Sequence, residues 1–252
     1  MVGAGPGDPE LLTVKALRVL REAEIVLHDA LVSPEVLALI SSNARILHVG
    51  KRCGQPSISQ NEINALLTSY ATSGHVVVRL KSGDPLIFGR AGEEMEALRA
   101  SGIPFEIVPG ITAALGAAAV AQVPLTNRRL ASRLVIARNH YALDGGAPDY
   151  DFLTNPRTTL VLYMPGDDYA QVSEQMTHSG MSGETSCLIV SKACTSQQQL
   201  CVTNLRELAL VPPLPPPAVM VFGNVSCIAR KLRDDNCNDH EHFHSVLAAG
   251  RN

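Results

Sequence analysis

The chain has no tryptophan, and aromatic residues make up only 4% of its 252 positions. Proteins that hold single-stranded nucleic acid stack bases on aromatic side chains along a basic groove. Both ingredients are scarce here, since 21 Lys and Arg stand against 24 Asp and Glu for a net charge of −3. No nucleic-acid partner is expected. The sequence also lacks an apolar run of membrane-spanning length and a basic leader before an apolar start, so it reads as cytoplasmic with no membrane partner. None of the six cysteines forms a C-x-x-C pair. Cys187, Cys194 and Cys201 recur at a fixed interval, but in a stretch that reads as strand and loop, and all six read as reduced thiols. Missing too are the phosphate-cradling G-x-x-x-x-G-K-[ST] loop and the G-x-S-x-G elbow. Gly3-x-Gly5-x-Gly7 has the wrong spacing for a dinucleotide fingerprint, and Pro6 removes an N–H that a pyrophosphate would use. Phosphate and acyl-transfer chemistry are therefore disfavoured.

What remains is a chain with hydrophobic residues at 46%, ample for a core. Strands are predicted at residues 25–27, 46–49, 76–80 and 105–108. Between them lie helices opening at Thr13, at Ser33-Pro34, at the capping box Ser59-x-x-Glu62, and across residues 92–101 and 112–121. The pattern resets near Pro124. Strands are then predicted at 133–137, 159–163, 185–190 and 218–222, with helices at 169–179 and 204–209. The alternation before that reset predicts an α/β sheet that is largely parallel, with ligand loops at the C-terminal strand ends. The expected division is an N-terminal α/β domain over residues 1–123 and a C-terminal α/β domain over 124–231. A disordered tail is expected over 232–252. The Pro-rich stretch 211–217 reads as a rigid connector. His240, His242 and His244 alternate in that tail and are read as binding no metal.

The most informative segment runs from Val77 to Arg90. A β-branched run ends in Ser82-Gly83-Asp84-Pro85, where small residues let a ligand approach the backbone and Pro85 fixes the turn. Other polar loops fall at strand ends as well. Together they offer carboxylates (Asp8, Asp29, Asp84, Glu93), cations (Lys51, Arg52, Arg90) and exposed main chain. This set suits a polycarboxylated substrate with a small-molecule cofactor held by backbone. From residue type alone, Asp29 could cap the following helix and Lys51 could be a solvated strand-end charge.

Several ordered segments carry a resemblance: residues 2–13, Asp29-Ala-Leu-Val-Ser33, Val49-Gly-Lys-Arg52, Ser82-Gly-Asp-Pro-Leu-Ile-Phe-Gly-Arg90, Val108-Pro-Gly-Ile-Thr-Ala-Ala114 and Pro124-Leu-Thr126. In this order they resemble the tetrapyrrole methylase family, from residue 2 to about residue 229. The resemblance implies two α/β domains with S-adenosylmethionine in a cleft between them, usually as a homodimer. It implies methylation of two pyrrole carbons of uroporphyrinogen III, giving precorrin-2 through precorrin-1 for sirohaem or cobalamin. Alternatives within its reach are a related precorrin methyltransferase and a non-catalytic tetrapyrrole-binding module. No further catalytic domain is expected before residue 1.

By the same resemblance Asp29 is the base and Lys51 the proton donor, while Arg90 pairs with substrate acetate or propionate groups. Glu93 and Met164 are implied on the substrate side, although the dipole at a helix start would also explain Glu93. Cofactor contacts carried over are Pro6, Ser82, Gly83, Asp84, Ile87, Thr112, Ala113, Met164 and Ala193, with Asp84 directed to a ribose or amino group. The chain departs from the family pattern at Ser82 and Ala91, where glycine is usual, and at Asn127, where histidine is common. A left-handed backbone at Ser82 would carry a steric cost.

Overall fold

The computed structural model describes residues 1–50, 58–139 and 155–229. The chain divides into two compact units. One comprises Met1–Ala117 with Lys192–Gln198, and the other comprises Ala118–Ser191 with the residues from Gln199 onward. This division departs from 1–123 and 124–231 in two places. Residues 118–123 group with the second unit, and residues 192–198 return to the first. The return has a physical cause at Gly7, where an added Cβ would lie 2.7 Å from Thr195 Cγ2 and 3.2 Å from the Cys194 carbonyl oxygen.

In the first unit, β1 (Val2–Gly3), β2 (Ile25–His28), β3 (Arg45–His48) and β4 (Val77–Lys81) form a sheet in the order β1-β4-β2-β3. Every pairing in it is parallel. The helices are α1 (Val14–Glu22), α2 (Pro34–Leu37), α3 (Gln60–Thr72) and α4 (Ala91–Ala100), with α5 (Ala113–Val120) running across the division. Their starts follow local chemistry. Thr13 Oγ1 accepts from Ala16 N at 3.0 Å, Ser33 Oγ accepts from Val36 N, and Ser59 and Glu62 satisfy each other's backbone N–H groups. The central strands are buried on both faces. Val26, Val78 and Leu80 pack with Ala16 and Leu20, whereas Ile25 and Leu27 pack with Val49 and Ile63.

The strand predicted at 105–108 reduces to one parallel bridge between Val108 and Val2. The neighbouring strand β1 itself spans only two residues.

The second unit contains β5 (Arg133–Arg138), β6 (Thr158–Tyr163), α6 (Tyr169–His178), β7 (Ser186–Ser191), β8 (Gln199–Asn204) and β9 (Ala218–Phe222). The sheet order is β5-β6-β9-β7-β8. Only β5 and β6 pair in parallel, and the remaining three pairings are antiparallel. Its core gathers Leu160, Leu162, Met176, Ile189 and Phe222. The predicted helix at 204–209 is replaced by strand β8 and a short 3-10 turn at Leu208–Leu210. Leu205 and Leu208 are both buried at helical spacing, which imitates a helix face. Gln199–Asn204, with the β-branched and apolar run Leu200-Cys201-Val202-Thr203, forms the edge strand paired with β7.

The site-bearing loops of the first unit meet through glycines. An added Cβ on Gly3 would lie 2.5 Å from Gly110 N, and one on Gly110 would lie 2.2 Å from the Gly83 carbonyl oxygen. No real side chain fits at such distances. Gly110→Ala is therefore expected to destabilise the fold by roughly 1–3 kcal/mol, as overpacking does, measured as a lowered urea midpoint with an unchanged slope.

His28, at the inner end of β2, is buried, and its Nδ1–H donates to the Asp29 carbonyl oxygen at 2.9 Å. Burial lowers its pKa from the usual 6.5 by more than this carbonyl contact raises it, and nearby His48 lowers it further. Below that value the unfolded chain takes up a proton that the folded one refuses. Neutral His28 thus contributes stability that is lost as pH falls through 6.5 toward the depressed folded value. Urea midpoints followed from about pH 7.5 to about pH 5.5 should fall less steeply in His28→Gln than in the parent chain.

Candidate active site

Four loops at one end of the first sheet carry most of the candidate residues. The loop after β1 holds Pro6 and Asp8, the loop after β4 holds residues 82–87, a third holds Thr112 and Ala113, and the fourth holds Ala193. The first two are locked by main chain: Gly83 N donates to Gly5 O at 2.8 Å, and Gly5 N returns a bond to Gly83 O at 3.2 Å. Gly83 takes the left-handed conformation at φ 65°, and Ser82 does not. The departure at Ser82 thus carries no left-handed strain, because the next residue absorbs the turn. Thr112 Cα and Ala113 N lie 3.7 Å from where a Cβ on Gly83 would sit. Pro6 and the Cys194 thiol crowd the position of a Cβ on Gly116 at 2.9 and 3.1 Å. Pro6, Ser82, Gly83, Asp84, Ile87, Thr112, Ala113 and Ala193 therefore all belong to this first unit. Met164 does not. It lies in the second unit, exposed, with its backbone in the left-handed region at φ 52°.

Asp84 braces its own loop. Its Oδ1 accepts from Leu86 N at 2.8 Å and its Oδ2 from Gly110 N at 3.0 Å, so both oxygens tie down backbone. Asp8 similarly caps the short turn Pro9–Leu11 through Glu10 N. Two other departures find local explanations. Ala91 opens α4 in ordinary helical conformation, and Asn127 Oδ1 accepts from Arg129 N and Leu130 N to close a turn.

Arg90 precedes α4 in a left-handed conformation, φ 55°, with Phe88 likewise at φ 51°. Its guanidinium forks onto Glu93, Nε to Oε1 and Nη2 to Oε2, both at 2.7 Å, with the two side chains about half exposed. The Glu93 carboxylate offsets the unfavourable placement of a cation at a helix start. Lys51, with Arg52 and Cys53, lies outside the described residues, as do the three tail histidines.

Asp29 is not a cap; Ser33 fills that place for α2. Its Oδ1 instead accepts from Arg79 Nη2. Sequence reasoning missed Arg79 and two further charges. Arg79 Nε donates to Glu94 Oε1 at 2.9 Å, and Lys81 Nζ reaches both Glu94 oxygens at 3.0 Å. The side chains of Arg79, Lys81 and Glu94 are 3%, 2% and 0% exposed, whereas that of Asp29 is 26% exposed. The cluster holds two cations and two carboxylates, which removes the penalty of an unpaired buried charge. Burial lowers the Lys81 pKa foremost, with Arg79 adding to the effect. The signal was present as charges at alternate positions of β4, but only the covering helix α4 shows that they are paired.

Among the described residues the arrangement offers no nucleophile activated by a neighbouring base. It provides one partly exposed carboxylate held from beneath, a guanidinium engaged with a carboxylate, and loops whose backbone is approachable because the residues are small. Among the described residues no group of His, Cys, Asp or Glu is placed to hold a metal, and no helix is long and apolar enough to cross a membrane.

Comparison with known proteins points one way. The chain is 46% identical over 233 residues to a uroporphyrinogen-III C-methyltransferase of Paracoccus denitrificans, covering 91% of this chain and 81% of that one. It is 45% identical to siroheme synthase 2 of Aeromonas hydrophila, covering 92% of this chain but only 50% of the synthase, about half its length. A crystal structure of uroporphyrin-III C-methyl transferase from Thermus thermophilus, complexed with S-adenyl homocysteine, superposes with a TM-score of 0.77. It shares 38% identity over 90% of this chain and 97% of that chain. The family model for tetrapyrrole (corrin/porphyrin) methylases matches residues 1–209. The chain is a member of the tetrapyrrole methylases.

Proposed function

We propose that the chain transfers methyl groups from S-adenosylmethionine to two pyrrole carbons of uroporphyrinogen III, giving precorrin-2 by way of precorrin-1. Precorrin-2 then serves the synthesis of sirohaem or cobalamin, and the enzyme works in the cytoplasm as a homodimer. The observation that carries the reading is Asp29, a partly exposed carboxylate gripped by a buried arginine beside backbone-lined loops. The identity to the Paracoccus enzyme, sustained over most of both chains, supports the substrate.

The residues fit the methyl donor. The close approach at Gly3, Gly83 and Gly110 and the small side chains of Ser82, Thr112, Ala113 and Ala193 leave main chain accessible to a nucleoside. Pro6, Ser82, Gly83, Asp84, Ile87, Thr112, Ala113, Met164 and Ala193 are the residues assigned to hold it. When bound, it supplies a methyl already activated on a sulfonium. The chain's task is then orientation, which is worth several kcal/mol by itself. Arg90 orients the macrocycle through a carboxylate, the same bidentate fork it now makes with Glu93. Asp29 accepts the proton that must leave the methylated ring carbon, and Lys51 returns a proton where the macrocycle needs one.

Purified protein incubated with S-adenosylmethionine and uroporphyrinogen III should add two methyl groups per macrocycle, read by mass spectrometry. Binding without methylation would support a tetrapyrrole-binding module instead, and activity confined to a precorrin would support a related methyltransferase. Asp29→Ala should lower kcat by about 100-fold or more while calorimetry finds the donor bound as in the parent. Undiminished product formation in that variant would remove Asp29 from the chemistry.

A further inference from the structure

The charges beneath Asp29 exceed what the fold needs. Strand β4 alternates, with Val78 and Leu80 facing one hydrophobic cluster while Arg79 and Lys81 point to the face covered by α4. Two cations on the buried face of a central strand are expensive, and apolar residues of similar size would serve stability as well or better. Their retention calls for a reason.

Arg79 stands opposite Leu27 in the register between β2 and β4, and Leu27 precedes Asp29 by two residues. Its guanidinium is fixed on every side. Nε donates to Glu94, Nη1 donates to the carbonyl oxygens of Leu27 at 3.3 Å and Leu80 at 3.2 Å, and Nη2 donates to Asp29. Glu94 is in turn held by Lys81 and by Gln60 Nε2 at 3.3 Å. At 3% exposure the Arg79 side chain is out of reach of a substrate, whereas Asp29 is not. A planar fork locked at both strand ends sets the direction of one carboxylate oxygen. Oδ2 has no hydrogen-bond partner among the described residues.

We propose that Arg79 is a positioning residue for methyl transfer, acting through Asp29, with Glu94 as the anchor that keeps its guanidinium in place. This rests on the reading of Asp29 as the base. Lys81 serves the same end by completing the pairing of Glu94, and none of the three touches substrate.

The test is a double-mutant cycle in single-turnover methylation, with unfolding measured on each variant. Arg79→Gln should lower the rate roughly 10- to 100-fold, the scale of a misaligned catalytic group, with the KM for S-adenosylmethionine unchanged. In an Asp29→Ala background the same change should alter the residual rate by less than about twofold, since coupled residues are not additive. Arg79→Lys keeps the charge but loses the fork, so it should regain stability without regaining rate. Should Arg79→Gln not fold, Glu94→Gln carries the same comparison. Equal losses in both backgrounds, or a rate restored along with stability by Arg79→Lys, would overturn the positioning role. Turnover lost in Asp29→Ala but kept in Arg79→Gln would overturn it alone, whereas full turnover in Asp29→Ala would overturn the base assignment beneath it.

Discussion

Three stretches of backbone meet in the first unit at Gly3, Gly83 and Gly110, closer than any side chain permits. Everything at that end of the sheet depends on this contact. It lets the loop after β1 exchange hydrogen bonds with the loop after β4, and it brings Gly110 N within reach of the Asp84 carboxylate. The loops are therefore held by main chain and by one braced carboxylate, and few bulky side chains intervene. A site formed in this way presents backbone donors and acceptors to whatever binds. That suits a nucleoside better than it suits an anion in need of a cationic cradle.

Beneath it lies a second constraint of opposite chemistry. Arg79, Lys81, Glu94 and Asp29 balance their charges where burial would otherwise penalise each one. The cluster ties β4 to α4, and α4 begins beside Arg90 and Glu93. Asp29, through Arg79, and Arg90, at the start of α4, are thus anchored to one strand–helix pair. Their separation is set by covalent geometry and packing.

Features written in adjacent residues were legible in the sequence. The caps at Thr13, Ser33 and Ser59 involve partners within three positions, and all three formed. The parallel first sheet followed from the alternation of strands and helices. Features that depend on distant partners were not legible. Nothing in Val77–Lys81 announces that Glu94 will close over its two cations. The antiparallel strand β8 was hidden because its polar residues resemble a loop, and Leu205 and Leu208 resemble a helix face. At Ser82 the sequence raised a question of backbone strain that only the dihedral angles answer, since the neighbouring Gly83 takes the turn.

The two arginines differ in what mobile ions can do to them. Arg90 and Glu93 are about half exposed, so dissolved salt reaches their pair and weakens it as the screening length shrinks below about 10 Å near 0.1 M. Arg79, Lys81 and Glu94 are sealed from solvent and escape that screening. Rising ionic strength would thus loosen the Arg90–Glu93 pair while leaving the contacts of Arg79 and Lys81 with Glu94 intact. The two ends of α4's charge network would then vary independently with the medium.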